Sequence, residues 1–156
     1  MKGGFSLIEL VLALCIIAIL ATIALPYLNT PKQDALLLKL KADFWAIQSG
    51  IAAAKNEFFI TNSSAKLSVL DEASVNAENE RLFYCSKAQI SACAGGANCC
   101  VASILASGIN SNRKGWLKTG ARNYRFFLSA KSFIDFEFKA DEGVFECLNS
   151  TLCKEF

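Results

Sequence analysis

The chain has 156 residues, 53% of them hydrophobic, and its 16 Lys and Arg against 14 Asp and Glu give a formal net charge of +2. That length fits one domain, the apolar content excludes a disordered chain, and the near-balanced charge gives no general affinity for polyanions. Histidine is absent, which removes His general bases, Ser-His and Cys-His nucleophile pairs and His-ligated metals.

The apolar surplus is local. Of the first 28 residues, 21 are hydrophobic, which leaves the remainder at about 48%, ordinary for a globular domain. Residues 10–31 run for 22 residues without a charge, about 33 Å as a helix and enough to cross a bilayer core. No second run of that kind follows, so a multi-span protein is excluded. A cleaved secretory signal has a shorter apolar region followed by an Ala-x-Ala-like site; this run is longer and ends in Pro26-Tyr27-Leu28. A plain membrane anchor accounts for the length but leaves Glu9 unexplained, because a carboxylate at the edge of such a run is costly in lipid without a partner.

The opening Met1-Lys2-Gly3-Gly4-Phe5-Ser6-Leu7-Ile8-Glu9-Leu10 resembles the type III signal of type IV pilins and type II secretion pseudopilins. It has a short basic leader, Gly then Phe, Glu four residues after the Phe, and a long apolar helix. Pro26 also matches a proline common in that family. The resemblance implies cleavage by a membrane-bound prepilin peptidase between Gly4 and Phe5, with residues 1–4 removed as a leader and N-methylation of Phe5. It implies an assembly helix over residues 5–31, kinked or locally loosened at Pro26. In a filament Glu9 would pair with the Phe5 amine of a neighbouring subunit. The pairing is physically sound, since a matched cation removes much of the penalty of a carboxylate among apolar helices. Lys2 on the cytoplasmic side follows the positive-inside tendency.

Residues 32–60 carry a helical period. Leu37, Leu40, Phe44, Ile47, Ile51, Ala54 and Phe58 alternate three and four apart, one apolar face. The stripe suits either a coiled-coil partner or a sheet of the same chain, and the strands further on favour the sheet. Pro31 suits a helix start, and Gly50 is a weak point within the helix. Residues 61–110 read as a connection rich in Ser, Asn and Ala, with one short helix around residues 70–76 and a turn at Gly95-Gly96.

Residues 111–148 read as an antiparallel meander. A strand begins at Trp116. Tyr124, Phe126 and Leu128 share a face. Ile134, Phe136 and Phe138 point inward, with Asp135 and Glu137 outward. Val144 to Leu148 closes the sheet, with turns at residues 129–131 and 140–143. The predicted fold class is α+β: a long N-terminal α-helical spine, membrane-spanning in its first half, packed on a C-terminal antiparallel meander. Together with a C-terminal tail over residues 147–156, this makes residues 32–156 a periplasmic head.

Seven cysteines are unusual for this length, and Cys15 lies inside the apolar run. The other six, Cys85, Cys93, Cys99, Cys100, Cys147 and Cys153, are disulfide candidates in an oxidising compartment. Six cysteines allow 15 pairings, and a four-cysteine zinc site competes without any Cys-x-x-Cys pair to favour it. The four between residues 85 and 100 would staple the connection locally. The resembled pilins often carry a disulfide-bounded C-terminal segment, and Cys147 with Cys153 would form it here. The acids Asp135, Glu137, Asp141, Glu142 and Glu146 form no compact oxygen-ligand loop, so no metal and no cofactor is expected.

Arg113, Lys114, Lys118, Arg122, Arg125 and Lys131 occur with no acid between them. They could form a patch for DNA phosphates or for a neighbouring subunit, with Tyr124 and Phe127 available for stacking, or simply a solvated sheet face. No glycine-rich phosphate loop or catalytic carboxylate pair is evident, so a structural subunit is expected rather than an enzyme. The implied partners are copies of itself and other pilin-like subunits, a prepilin peptidase, an inner-membrane assembly platform and membrane lipid. The resembled family serves pili, type II secretion and DNA uptake in transformation, and the small head leans towards a pseudopilin. The alternative is a membrane-anchored periplasmic binding domain that never polymerises.

Overall fold

The computed structural model describes residues 7–27, 31–61, 63, 65–93, 99–148, 151 and 153–155. The chain divides into two compact units, Met1–Leu37 and Leu38–Phe156.

The first unit contains helix α1, Leu7–Tyr27. Leu, Ile and Ala line all sides of it, with Glu9 in its first turn, where a carboxylate complements the positive end of the helix dipole. Among the described residues no helix is long and apolar enough to cross a membrane. The single crossing helix expected over residues 5–31 is therefore not found among them. Helix α2, Pro31–Ile60, opens on a proline, whose missing N–H costs nothing at a first helical position.

The second unit is built on a four-stranded antiparallel sheet of β3 (Trp116–Lys118), β4 (Asn123–Phe127), β5 (Phe133–Lys139) and β6 (Val144–Cys147), in that order. Register pairs Trp116 with Phe126, Phe126 with Ile134, and Phe138 with Phe145. Period-two alternation puts Tyr124, Phe126, Ile134, Phe136, Phe138 and Phe145 on one buried face. The α2 stripe covers that face, with Leu40, Phe44, Ile47, Ile51 and Ala54 buried. The Phe44 ring lies 5.9 Å from Phe136 and 6.1 Å from Phe145. Full burial of such a side chain contributes about 1.5–3 kcal/mol. Asp43 accepts from the Trp116 indole N–H at 2.9 Å and from Lys39 at 2.8 Å, fixing the helix on the sheet. The α+β class, the covered stripe and the meander thus stand, with β4 ending at Phe127 and β6 at Cys147.

The connection is more ordered than its composition suggests. Two-residue strands β1 (Arg81–Leu82) and β2 (Ile109–Asn110) pair antiparallel. The short helix falls at Lys87–Ala92 (α3) and not around residues 70–76, which are irregular and end in a turn. Ser86 and Gln89 form a reciprocal capping box that starts α3, whereas Asp71 is buried and its carboxylate is committed to donors distant in sequence. Gly50 turns out to be a contact point: a Cβ there would collide with the Ile104 carbonyl oxygen. Disulfides join Cys85 to Cys100, Cys93 to Cys99 and Cys147 to Cys153. These pairings occupy all six head cysteines and leave no thiolate for zinc.

Candidate functional site

The residues with the most specific sequence signal lie at the N-terminus. Gly4 and Phe5 fall outside the described residues. Glu9 sits in the first turn of α1 and is exposed. Around it, the large apolar side chains from Leu7 to Leu20 are 45 to 81% exposed. Each gains about 1.5–3 kcal/mol on full burial, so half-burying ten of them releases on the order of 10 kcal/mol. A helix apolar on all sides is suited to lipid or to the interior of a helix assembly. Cys15 is a free, exposed thiol on the same helix. The helix runs through Pro26 to Tyr27.

The basic stretch is divided: Arg113 and Arg125 line one cleft beside Phe127, while Lys118 is buried and Arg122 is engaged elsewhere. Lys118 is 5% exposed and its ammonium lies 2.8 Å from the Asp71 carboxylate, so it is unavailable to DNA or to a neighbour. Strand alternation puts it on the same face as Trp116, which is the core face. Arg125 donates through Nε and Nη2 to both Asp135 oxygens, at 2.6 and 3.1 Å, with its guanidinium 3.8 Å over the Phe133 ring. Arg113 pairs with Glu78 at 3.0 Å. Arg122 donates to the Ser68 carbonyl at 2.8 Å. Lys114 and Lys131 are exposed. Tyr124 is fully buried, which removes it as a stacking platform, while Phe127 lies against Phe133.

Asp71 is the charged centre of the head and was not singled out from sequence. Its carboxylate accepts from Lys118, from the Tyr124 hydroxyl at 2.9 Å, and from the backbone N–H groups of Phe83 at 2.9 Å and Ala73 at 3.2 Å. Burial, with the Asp71 charge and hydrogen bond beside it, holds the Tyr124 hydroxyl well above the usual tyrosine value of 10.0. Its readable signal is an acid directly after Leu67, Val69 and Leu70, together with a lysine two residues after Trp116.

Both edges of the main sheet are occupied by the chain itself. The Gln48 amide brackets β6, donating to the Phe145 carbonyl at 3.1 Å and accepting from the Phe145 N–H at 3.2 Å. On β3, the carbonyls of Trp116 and Lys118 accept from the backbone N–H groups of Asn112 and Asn76, both at 2.8 Å. Such occupied edges oppose the addition of a foreign strand. Among the described residues no group of three or more His, Cys, Asp or Glu side chains is placed to hold a metal ion. No protein-family model matches this chain, and no curated protein or solved structure matches it.

Proposed function

We propose that the chain is a pilin-like structural subunit, favoured as a pseudopilin, inserted in the inner membrane with its head in the periplasm. A prepilin peptidase cuts between Gly4 and Phe5, Phe5 is N-methylated, and the subunit then polymerises through its N-terminal helix. The observation that carries this reading is the Gly4-Phe5…Glu9 signal at the head of a 22-residue charge-free run. The all-round apolar surface of α1 and the occupied edges of the head's sheet support it, because assembly then falls to helices and not to strands. The service is type II secretion or DNA uptake. Burial of Lys118 and the ion pairs on Arg113 and Arg125 take support from DNA as a ligand of the head.

Glu9→Val tests the proposal. The variant is expected to insert in the membrane and to be absent from sheared or cross-linked filaments. In the wild type, oxidation of membranes should link Cys15 of adjacent subunits as they assemble. Wild-type amounts of Glu9→Val protein in filaments would overturn the proposal. Membrane insertion with neither filaments nor Cys15 links would instead mark an anchored binding domain that does not polymerise.

A further inference from the structure

One end of the sheet gathers the exposed members of the basic stretch. Trp116 pairs with Phe126 and the Phe127 N–H donates to the Gly115 carbonyl at 2.9 Å, so the loop at residues 112–115 and the turn at residues 128–132 lie at the same end. Both are fixed. The Asn112 side chain accepts from the Lys114 N–H at 2.9 Å, and the Ser129 hydroxyl accepts from the N–H groups of Lys131 and Ser132 at 3.3 and 3.1 Å. Lys114 and Lys131 are exposed, and among the described residues neither enters an ion pair. Beside them a cleft of about 450 Å³ is lined by Arg113, Arg125, Leu117 and Phe127. Arg125 commits Nε and Nη2 to Asp135, which leaves its Nη1 group outside that pair. Arg113 meets Glu78 through Nε at 3.0 Å and its side chain is 72% exposed. Two guanidinium groups beside apolar side chains suit an oxyanion carried on an apolar body.

This end of the head is also where the chain enters it. The head begins at Leu38. Just inside, Lys39 lies 5.7 Å from the centre of the Phe126 ring, and Asp43 accepts from the Trp116 indole. The acids Asp141 and Glu142 lie at the other end, in the turn that Lys55 holds through the Glu142 carbonyl; Lys39 to Lys55 is about 24 Å of helix. Residues 28–37 separate α1 from Leu38, at most about 40 Å when fully extended. We infer that this basic end docks on an anionic phospholipid surface, the cleft taking a headgroup phosphate between Arg113 and Arg125 while Lys114 and Lys131 meet neighbouring headgroups. The inference rests on the proposed insertion of α1 in a membrane. Glu78 and Asp135 offset two of the four cations, so the site is weak for a polyanion that must come from solution. A membrane tethered to the head by the chain is present at high effective concentration, and a weak site then suffices. Docking holds an unassembled head down and turns its acidic end away from the surface.

The experiment uses the full chain in vesicles of phosphatidylcholine with or without phosphatidylglycerol. In a Cys15→Ser background, a fluorophore on Ser132→Cys reports the basic end and one on Asp141→Cys the far end, both exposed sites, against a quencher carried on lipid headgroups. Residue 132 should be quenched more than residue 141 in phosphatidylglycerol vesicles, and far less without the anionic lipid or in high salt. Lys114→Gln with Lys131→Gln should lower the ratio of docked to free heads roughly thirtyfold, at about fivefold per charge. Arg113→Lys keeps the charge and removes the planar fork, so it should lower that ratio severalfold; an unchanged ratio overturns the headgroup site. Equal quenching of residue 132 in both kinds of vesicle, or quenching no greater than at residue 141, overturns the inference. Loss of the quenching to added single-stranded DNA, at a salt concentration that leaves it intact, would make nucleic acid the preferred occupant and overturn it too. A label on native Cys15, quenched from the acyl chains, reads insertion of α1 separately. Its quenching without docking of residue 132 rejects this inference alone, and its absence rejects the membrane reading and this inference together.

Discussion

Asp71 should be the least replaceable charge in the head, and it should be less replaceable than its ion-pair partner. Lys118→Met keeps the length of the buried stem and removes one of the donors on a carboxylate whose side chain is wholly buried. Breaking a buried pair from one side costs about 3–5 kcal/mol. Three donors remain on Asp71 in that variant: Tyr124, and the N–H groups of Phe83 and Ala73. Asp71→Ala leaves the Lys118 ammonium without its counter-charge and those three donors unmet. Each buried donor left unsatisfied costs about 1–3 kcal/mol. The sum reaches the whole stability of an ordinary domain, about 5–15 kcal/mol. Urea unfolding followed by tryptophan fluorescence should therefore give a shifted but cooperative transition for Lys118→Met and no folded baseline for Asp71→Ala. Asp71→Asn, which keeps an acceptor oxygen, should fall between them. A Lys118→Met stability within about 1 kcal/mol of wild type, or an Asp71→Ala variant milder than Lys118→Met, would refute this ordering.

Two further outcomes follow from the head's core. Gly50→Ala, which in an open helix gains up to about 1 kcal/mol, should here destabilise, because the new Cβ collides with the backbone oxygen of Ile104 and overpacking costs about 1–3 kcal/mol; a raised unfolding midpoint would contradict the close approach. The raised value of Tyr124 makes the folded state hold a proton that the unfolded chain loses near pH 10. This group therefore leaves stability unchanged below pH 10 and lowers it by up to about 1.4 kcal/mol per pH unit above that. Tyr124→Phe should abolish that alkaline slope while costing about 1 kcal/mol at neutral pH, and an unchanged slope would show that another group titrates there.

The parts of the fold that were legible in the sequence are those with a period. Tyr124 and Phe126, and Ile134, Phe136 and Phe138, announce strands by alternation. Leu40 through Ala54 announce a buried helix face by their three-and-four spacing. The close pair Cys147 and Cys153 was readable because few residues separate them. What was not legible depends on contacts distant in sequence. Strands β1 and β2 have two residues each, too short for any period, and pair residues 27 and 29 apart. Asp71 and Lys118 are 47 residues apart, and neither residue alone signals a buried ion. Within the basic stretch, Lys118 alone is buried among the described residues; counting charges along the chain hides this, whereas alternation from Trp116 assigns Lys118 to the core face. Capping at Ser86 and Gln89 was a local signal present in the sequence, and it places α3 where the residue composition did not.

In the proposed filament, register between subunits needs more than apolar surface. A helix that is apolar on all sides packs about equally well in many rotations and axial positions, because burial is non-directional and scales with area. Apolar surface on α1 therefore supplies cohesion without specificity. A single carboxylate changes this. Left unpaired among apolar helices it costs several kcal/mol, and a neighbouring amine at one axial offset removes most of that cost. Every other offset retains it. Glu9 is the only acid of α1, so exchanging it for an apolar residue of similar size should increase cohesion while abolishing the preference for one offset. The expected Glu9→Val phenotype is accordingly loss of ordered assembly with membrane retention intact. A merely anchoring helix would show no change at all.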